Sequence, residues 1–377
     1  MRTVTIKELK LVNCGCFPTL DVEFHPTGIT IISGKNGCGK TTIADAFSWL
    51  FTDRLMNGNS ADMRPHDADG NALNSDDIFV VAYITVDDAE YIIEKQVHKG
   101  FKGNETVYSI NGVQKRTQDF RASIEDIFGV TWEQFGYCIS AAHFLKNDTS
   151  LRRSILFDLV DLDDDSKVAA DREEFVELVP KLEVADPDEI IADCRLALNG
   201  KGKTNKGLNG RLDDLRSRLS ELTTVFEHIP GNKYINERMD ELSALTNAVT
   251  SQMVATEKVL EITKDFKRYK AELATERVNK LFTVAEFVFV ELKNNGSVSD
   301  ICDIRYKGER YSKRLNSGSR VLMDCDIVTG FQRAYGLALP LFVDNAESAT
   351  QETVNLIKGM SDQSIALFAY DCDLTVE

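Results

Sequence analysis

Gly34-Lys35-Asn36-Gly37-Cys38-Gly39-Lys40-Thr41 has the spacing GxxxxGK[ST], a pattern that holds phosphate. Its glycines let successive backbone N–H groups curl round an anion, and Lys40 would neutralise the terminal phosphates of a nucleotide. The Thr41 hydroxyl would hold Mg²⁺, an ion that takes oxygen ligands and shares phosphate oxygens. Gly34, Asn36, Gly37, Cys38, Gly39 and Thr42 complete the cradle. The acidic counterpart comes near the other end of the chain. Leu339-Pro340-Leu341-Phe342-Val343-Asp344 is an apolar strand pattern ending in a carboxylate, the form of a Walker B segment, so Asp344 is the candidate second metal contact.

Both motifs need strands to carry them. The apolar run Gly28 to Ser33 and a helix from about Lys40 to Phe51 flank the loop, and the positive end of that helix faces the phosphates. Val4, Ile6, Leu9 and Leu11 alternate with a shift of phase, which predicts a half-buried strand with a local irregularity. Further strands are expected over Leu20 to Phe24, Ile29 to Ser33, and an antiparallel pair, Ile78 to Thr85 and Glu90 to Val97. Asn111-Gly112 marks a hairpin, and the polar stretch Met56 to Ser75 a surface loop near the nucleotide. After a helical stretch, Thr131 to Asn199, and the central arm, the chain returns to strands at Thr283 to Lys293 and Val298 to Arg305, with a turn at Asn294-Asn295-Gly296. A helix from Ser319 to Tyr335, the strand Leu339 to Val343, a helix from Thr350 to Met360 and the strand Ser364 to Tyr370 then alternate as in a parallel sheet.

Between the two motifs, Leu208, Leu212, Leu215, Leu219, Leu222 and Phe226 recur at the alternation of a coiled-coil seam. His228-Ile229-Pro230-Gly231-Asn232 ends it, and a second apolar stripe runs from Lys233 to Leu281, so the two helices are expected to fold back as an antiparallel hairpin or to form a helical subdomain. Ahead of the hairpin, Gly200 to Arg211 interleaves glycine with Lys and Arg, either as a solvated connector or as a local contact for DNA.

The net charge of −16 excludes a surface that coats nucleic acid indiscriminately. No apolar run reaches the length of a membrane span, and the first residues read as a strand, which predicts a soluble, cytoplasmic protein without a membrane partner. Eight cysteines without a CxxC pair read as reduced thiols, Cys14 and Cys16 as small apolar residues at a strand end.

Five segments together resemble the SMC, SbcC and RecF group of ABC-type ATPases: Ile6 to Phe17, the phosphate loop, the hairpin, Leu315-Asn316-Ser317-Gly318-Ser319-Arg320 as a variant LSGGQ signature, and Asp344 with its strand. The wording from Asp344 to Ser348 is similar to small phage-encoded SbcC-like proteins. The resemblance implies an α/β fold, a P-loop NTPase ABC-type head built from N- and C-terminal lobes with an inserted antiparallel helical arm. The expected divisions are 1–165 for the first lobe, 166–281 for the helical insertion and 282–377 for the second lobe. It further implies ATP and Mg²⁺ as cofactors, Asn13 of the opening turn at the nucleotide, and a homodimer in which Asn316, Ser317 and Gly318 of one copy face the γ-phosphate held by the other. The expected activity is ATP hydrolysis serving DNA repair, recombination or phage DNA processing beside a nuclease subunit, with DNA held at Lys201 to Arg211 and Arg305 to Arg314.

Departures from the family pattern carry equal weight. Asn345 stands where the family has the glutamate that positions the attacking water, which makes Glu347 the candidate substitute. The family's glutamine that senses Mg²⁺ should fall in Cys138 to Leu145, where His143 is the available residue. No histidine follows the last strand, and the arm has no CxxC hook. Asn345 leaves a second reading open, an ATP-gated switch that binds nucleotide with little or no turnover.

Overall fold

The computed structural model describes residues 1–60, 63–65, 77–100, 103–162, 164–201, 205–292, 298–313 and 315–377. Most of the polar loop from Met56 to Ser75, the turn at Asn294 to Gly296, Gly202, Lys203 and Arg314 lie outside them. The chain forms two compact units, one of Met1–Leu159, Thr275–Glu291 and Asp300–Glu377, the other mainly of Val160–Ala274.

In the first unit the strand Arg2–Cys14 lies inside a seven-stranded sheet, between Leu337–Ala338 on one side and Ile78–Val86 on the other, with Phe17–Glu23 folded back beside it. The phase shift in its apolar pattern is a bulge between Ile6 and Glu8. A bulge leaves backbone groups without ladder partners, and here one buried amide takes them up. Gln363 Oε1 accepts from Ile6 N at 2.9 Å, and its Nε2 donates to Ile6 O at 2.8 Å and His25 O at 2.7 Å. Replacing Gln363 with leucine is expected to cost about 3 kcal/mol, because a net hydrogen bond contributes roughly 1 kcal/mol and orphaned buried groups more. Chemical denaturation against the unaltered protein measures it.

Ile78–Val86 and Ala89–Gly100 pair antiparallel as expected, with Val86 opposite Ala89, and Ile110 meets Val113 across Asn111 and Gly112, both with positive φ. The second sheet joins the two ends of the sequence. Leu341–Val343 pairs parallel with Gln363–Ala369, which pairs parallel with Gly28–Gly34, and Thr375–Val376 closes the edge. Glu286–Leu292, Val298–Tyr306 and Glu309–Arg310 do not extend that parallel sheet but form a separate three-stranded one.

Aromatic rings connect the phosphate-loop helix Lys40–Thr52 to the helix Ser317–Tyr335 near the other end of the sequence. Phe51 packs on Phe135, Tyr137 and Phe144 both pack on Phe331, and Phe331 on Phe282, with centroids 4.9–6.0 Å apart, a spacing at which ring quadrupoles attract. Gly330 is required there, since a Cβ would lie 2.3 Å from the Phe282 ring.

In the second unit, the glycine-rich break is a tight antiparallel pair, Gly200–Lys201 with Asn205–Lys206. It leads into the helix Leu208–His228, of 21 residues, followed after the turn 229–232 by the helix Lys233–Asn279, of 47. At 1.5 Å per residue the latter is about 70 Å long. Leu212, Ile235, Leu242 and Val249 of the two stripes are buried. No helix among the described residues is long and apolar enough to cross a membrane.

Candidate nucleotide site

The strand Gly28–Gly34 passes into the helix Lys40–Thr52 through a loop whose Gly37 and Gly39 have φ of 82° and 95°, values that side chains with a Cβ rarely take. Gly39 is needed twice over, because a Cβ there would lie 2.4 Å from Cys16 Sγ and the Phe17 ring. No side chain caps the helix, so its first N–H groups remain available to an anion. Lys40 is 9% exposed, and its Nζ donates to the carbonyls of Gly34 and Lys35, each at 2.8 Å.

Parallel pairing sets Gly34 opposite Ala369 and Val343 opposite Ala366, which brings the ends of all three strands to one edge. There the Thr41 hydroxyl donates to Asp344 Oδ2 at 3.3 Å, across 303 residues of sequence. Lys40, Thr41, Thr42, Asp344 and Glu347 line one cavity of about 250 Å³. A hydroxyl and a carboxylate side by side are hard oxygen donors and fit Mg²⁺. Glu347 reaches the cavity from the short turn Ala346–Ser348, and its Oε2 accepts from Ala369 N at 3.2 Å. Asn345 has φ 55° and donates its N–H to its own neighbour's Asp344 Oδ1 at 2.9 Å. A left-handed turn suits asparagine better than glutamate, which gives the departure from the family pattern a backbone reason.

Two expected residues lie elsewhere. His143 is 2% exposed, and its Nε2 faces the Leu55 carbonyl at 2.9 Å. Burial pushes its pKa below the usual value, against the pull of that carbonyl, so the ring is neutral. His143 is therefore withdrawn as a metal contact or phosphate sensor: the turn of the helix Ala141–Leu145 sends it inward, while Ser140, Ala141 and Ala142 line a second cavity. The Asn13 amide donates to Asp77 O at 2.9 Å, and Asn13 is not among the residues that line the smaller cavity. Cys38 stands beside Lys40, its Sγ 3.9 Å from Nζ.

The second cavity, about 600 Å³, has Thr41 and Asp344 in its wall together with Asp45, Ser317 and Arg320. Asn316 caps the helix Ser317–Tyr335, its Oδ1 accepting from Ser319 N at 2.8 Å. Gly318 answers to its own chain, because a Cβ there would lie 2.5 Å from the Ser348 carbonyl oxygen. Sequence reasoning missed Asp45 and Asp324. Burial pushes Asp45 up to about 6, against the Met56 N–H that donates to it at 2.8 Å, with the charge of Asp344 adding to the rise. Burial also lifts Asp324 to about 6, although Tyr311 donates to it at 2.7 Å. The spacing of Thr41 and Asp45, one helical turn, was the available signal.

The profile of the AAA domain family matches residues 8–276. Exonuclease subunit 2 of Enterobacteria phage T4 is 24% identical over 153 residues, 38% of this chain and 26% of that protein. The protein of the same description from Escherichia phage RB69 is 25% identical over 153 residues, 38% of this chain and 25% of its own. The matched stretch thus spans about a quarter of either relative's length. Among solved structures, the Smc head domain of Pyrococcus furiosus, crystallised with an extended coiled coil and the C-terminal domain of ScpA, aligns over 98% of this chain and 90% of its own at 16% identity and a TM-score of 0.42. The recombination mediator RecF with ATP aligns over 100% and 96% at 15% identity and a TM-score of 0.42.

Proposed function

The chain belongs to the AAA domain family, and we propose that it is an ATP-binding and ATP-hydrolysing head of the SMC, SbcC and RecF type that closes into a dimer on ATP. The lobes 1–165 and 282–377 build the site and 166–281 the helical arm. The observation that carries the reading is the contact of Thr41 with Asp344, which sets a hydroxyl and a carboxylate side by side at the phosphate loop. Lys40 and the loop N–H groups would hold the phosphates, and Thr41 and Asp344 would hold Mg²⁺, which would supply positive charge beside the transferred phosphoryl group. Glu347 orients the attacking water, drawn away from Ala369 N. Asn316 and Ser317 present their helix N-terminus to the nucleotide of a second copy.

DNA as the object of this cycle, and a nuclease subunit beside it, rest on the two phage relatives described as exonuclease subunits. The basic segments named from the sequence give limited support, because Lys206 pairs with Asp214, and Arg305 and Arg310 with Asp303. DNA contact therefore falls to their other cations. A cytoplasmic site of action follows from the same reading.

Light scattering with ATP and Mg²⁺ should show a doubled mass, and phosphate should be released. Glu347→Gln should keep the dimer and lower turnover about 100-fold, the lower range for losing a general base. A protein that stays monomeric with ATP defeats the dimer reading. A dimer that releases no phosphate establishes instead the ATP-gated switch, which Asn345 favours.

A further inference from the structure

Asp45 and Asp344 both border the larger cavity behind the phosphate loop. Asp45 follows Thr41 by one turn of the helix Lys40–Thr52, so one face of that helix carries both side chains, and both border the larger cavity with Asp344. The charge of Asp344 is close enough to act on Asp45. Among the described residues neither carboxylate has an ion pair, and Lys40 is turned to the carbonyls of Gly34 and Lys35. Two half-screened like charges repel unless a cation joins them. Asp45 Oδ1 is engaged by Met56 N, and no described residue donates to Oδ2. On the same wall, where the family resemblance expects a glutamine, Ala141 and Ala142 offer only methyl groups and His143 faces away.

We propose that Asp45 is a positioning residue for the nucleotide-bound Mg²⁺, its Oδ2 accepting from a water of the ion on the side that the missing glutamine leaves open. This rests on the nucleotide reading of the site. It assigns to the phosphate-loop helix two contacts toward one ion, Thr41 directly and Asp45 through water. Outer contacts of this kind orient the ion and its waters, and their loss weakens metal affinity by about 10- to 100-fold.

The test is Asp45→Asn, which keeps an oxygen to accept from Met56 N. Mn²⁺ is titrated into the protein with a non-hydrolysable ATP analogue, and the bound ion is read by electron paramagnetic resonance. The variant should bind Mn²⁺ about 10- to 100-fold more weakly, while its affinity for the analogue in EDTA stays that of the unaltered protein and its melting temperature without cation is no lower. Equal Mn²⁺ affinity in variant and unaltered protein overturns the assignment. Should Asp45→Asn not fold, Asp45→Ser, which removes the carboxylate and leaves a small polar side chain, carries the same expectation. Unaltered protein that binds no analogue at all defeats the nucleotide reading; binding with an unaffected variant defeats only the role of Asp45.

Discussion

Asp326→Ala is expected to lower folding stability by about 3–5 kcal/mol, the range for removing one partner of a buried charged network. Asp326 is fully buried on the helix Ser317–Tyr335, and its carboxylate accepts from Thr283 N at 3.0 Å, Val284 N at 2.7 Å and Ala285 N at 2.8 Å. Arg333 completes the set at 3.5 Å. These N–H groups belong to the turn between the long helix and the strand Glu286–Leu292. A second clasp holds the same turn, Asn279 exchanging hydrogen bonds with both backbone groups of Phe287 at 2.7 and 3.1 Å. Alanine leaves three donors unpartnered in the interior. Asparagine should do little better, because its amide turns two more donors toward them. Urea denaturation with an unchanged slope gives the value, and a loss below about 1 kcal/mol, the size of one ordinary hydrogen bond, contradicts the account.

Lys40→Ala should weaken ATP binding roughly 100-fold with the fold intact, since hydrogen bonds to a charged group contribute about 1.5–3 kcal/mol each and 1.4 kcal/mol is a factor of ten. The Nζ now holds two loop carbonyls, so binding exchanges neutral acceptors for phosphate oxygens, which are stronger ones. Calorimetry with ATP and circular dichroism on the same samples separate lost binding from lost structure. Affinity within about threefold of the unaltered protein, under 1 kcal/mol, would remove the phosphate loop from the proposed function.

The strands and the nucleotide motifs were legible because each rests on a local rule. The antiparallel pair expected over Ile78 to Thr85 and Glu90 to Val97 lies within Ile78–Val86 and Ala89–Gly100, Asn111-Gly112 marked the turn that sets Ile110 opposite Val113, and the irregularity near Ile6 surfaced as a bulge. His143 was misread because spacing from a family motif does not say which side of a short helix faces a cavity. Gly318 has in addition a role within its own chain that the signature did not reveal, since the Ser348 carbonyl requires glycine there.

The sequence alone determined that a phosphate loop and an acidic strand end exist, since glycine spacing, a lysine and an apolar run capped by Asp are written in consecutive residues. Only the tertiary structure decided that they share a site. Gly28–Gly34 and Gln363–Ala369 lie at opposite ends of the sequence, and nothing within either segment specifies the other as its neighbour. It also decided which polar side chains hold the core, Gln363 at the bulge and Asp326 beneath the turn. A buried hydrogen bond depends on which backbone groups remain without a partner, and that is known only once every strand has been paired.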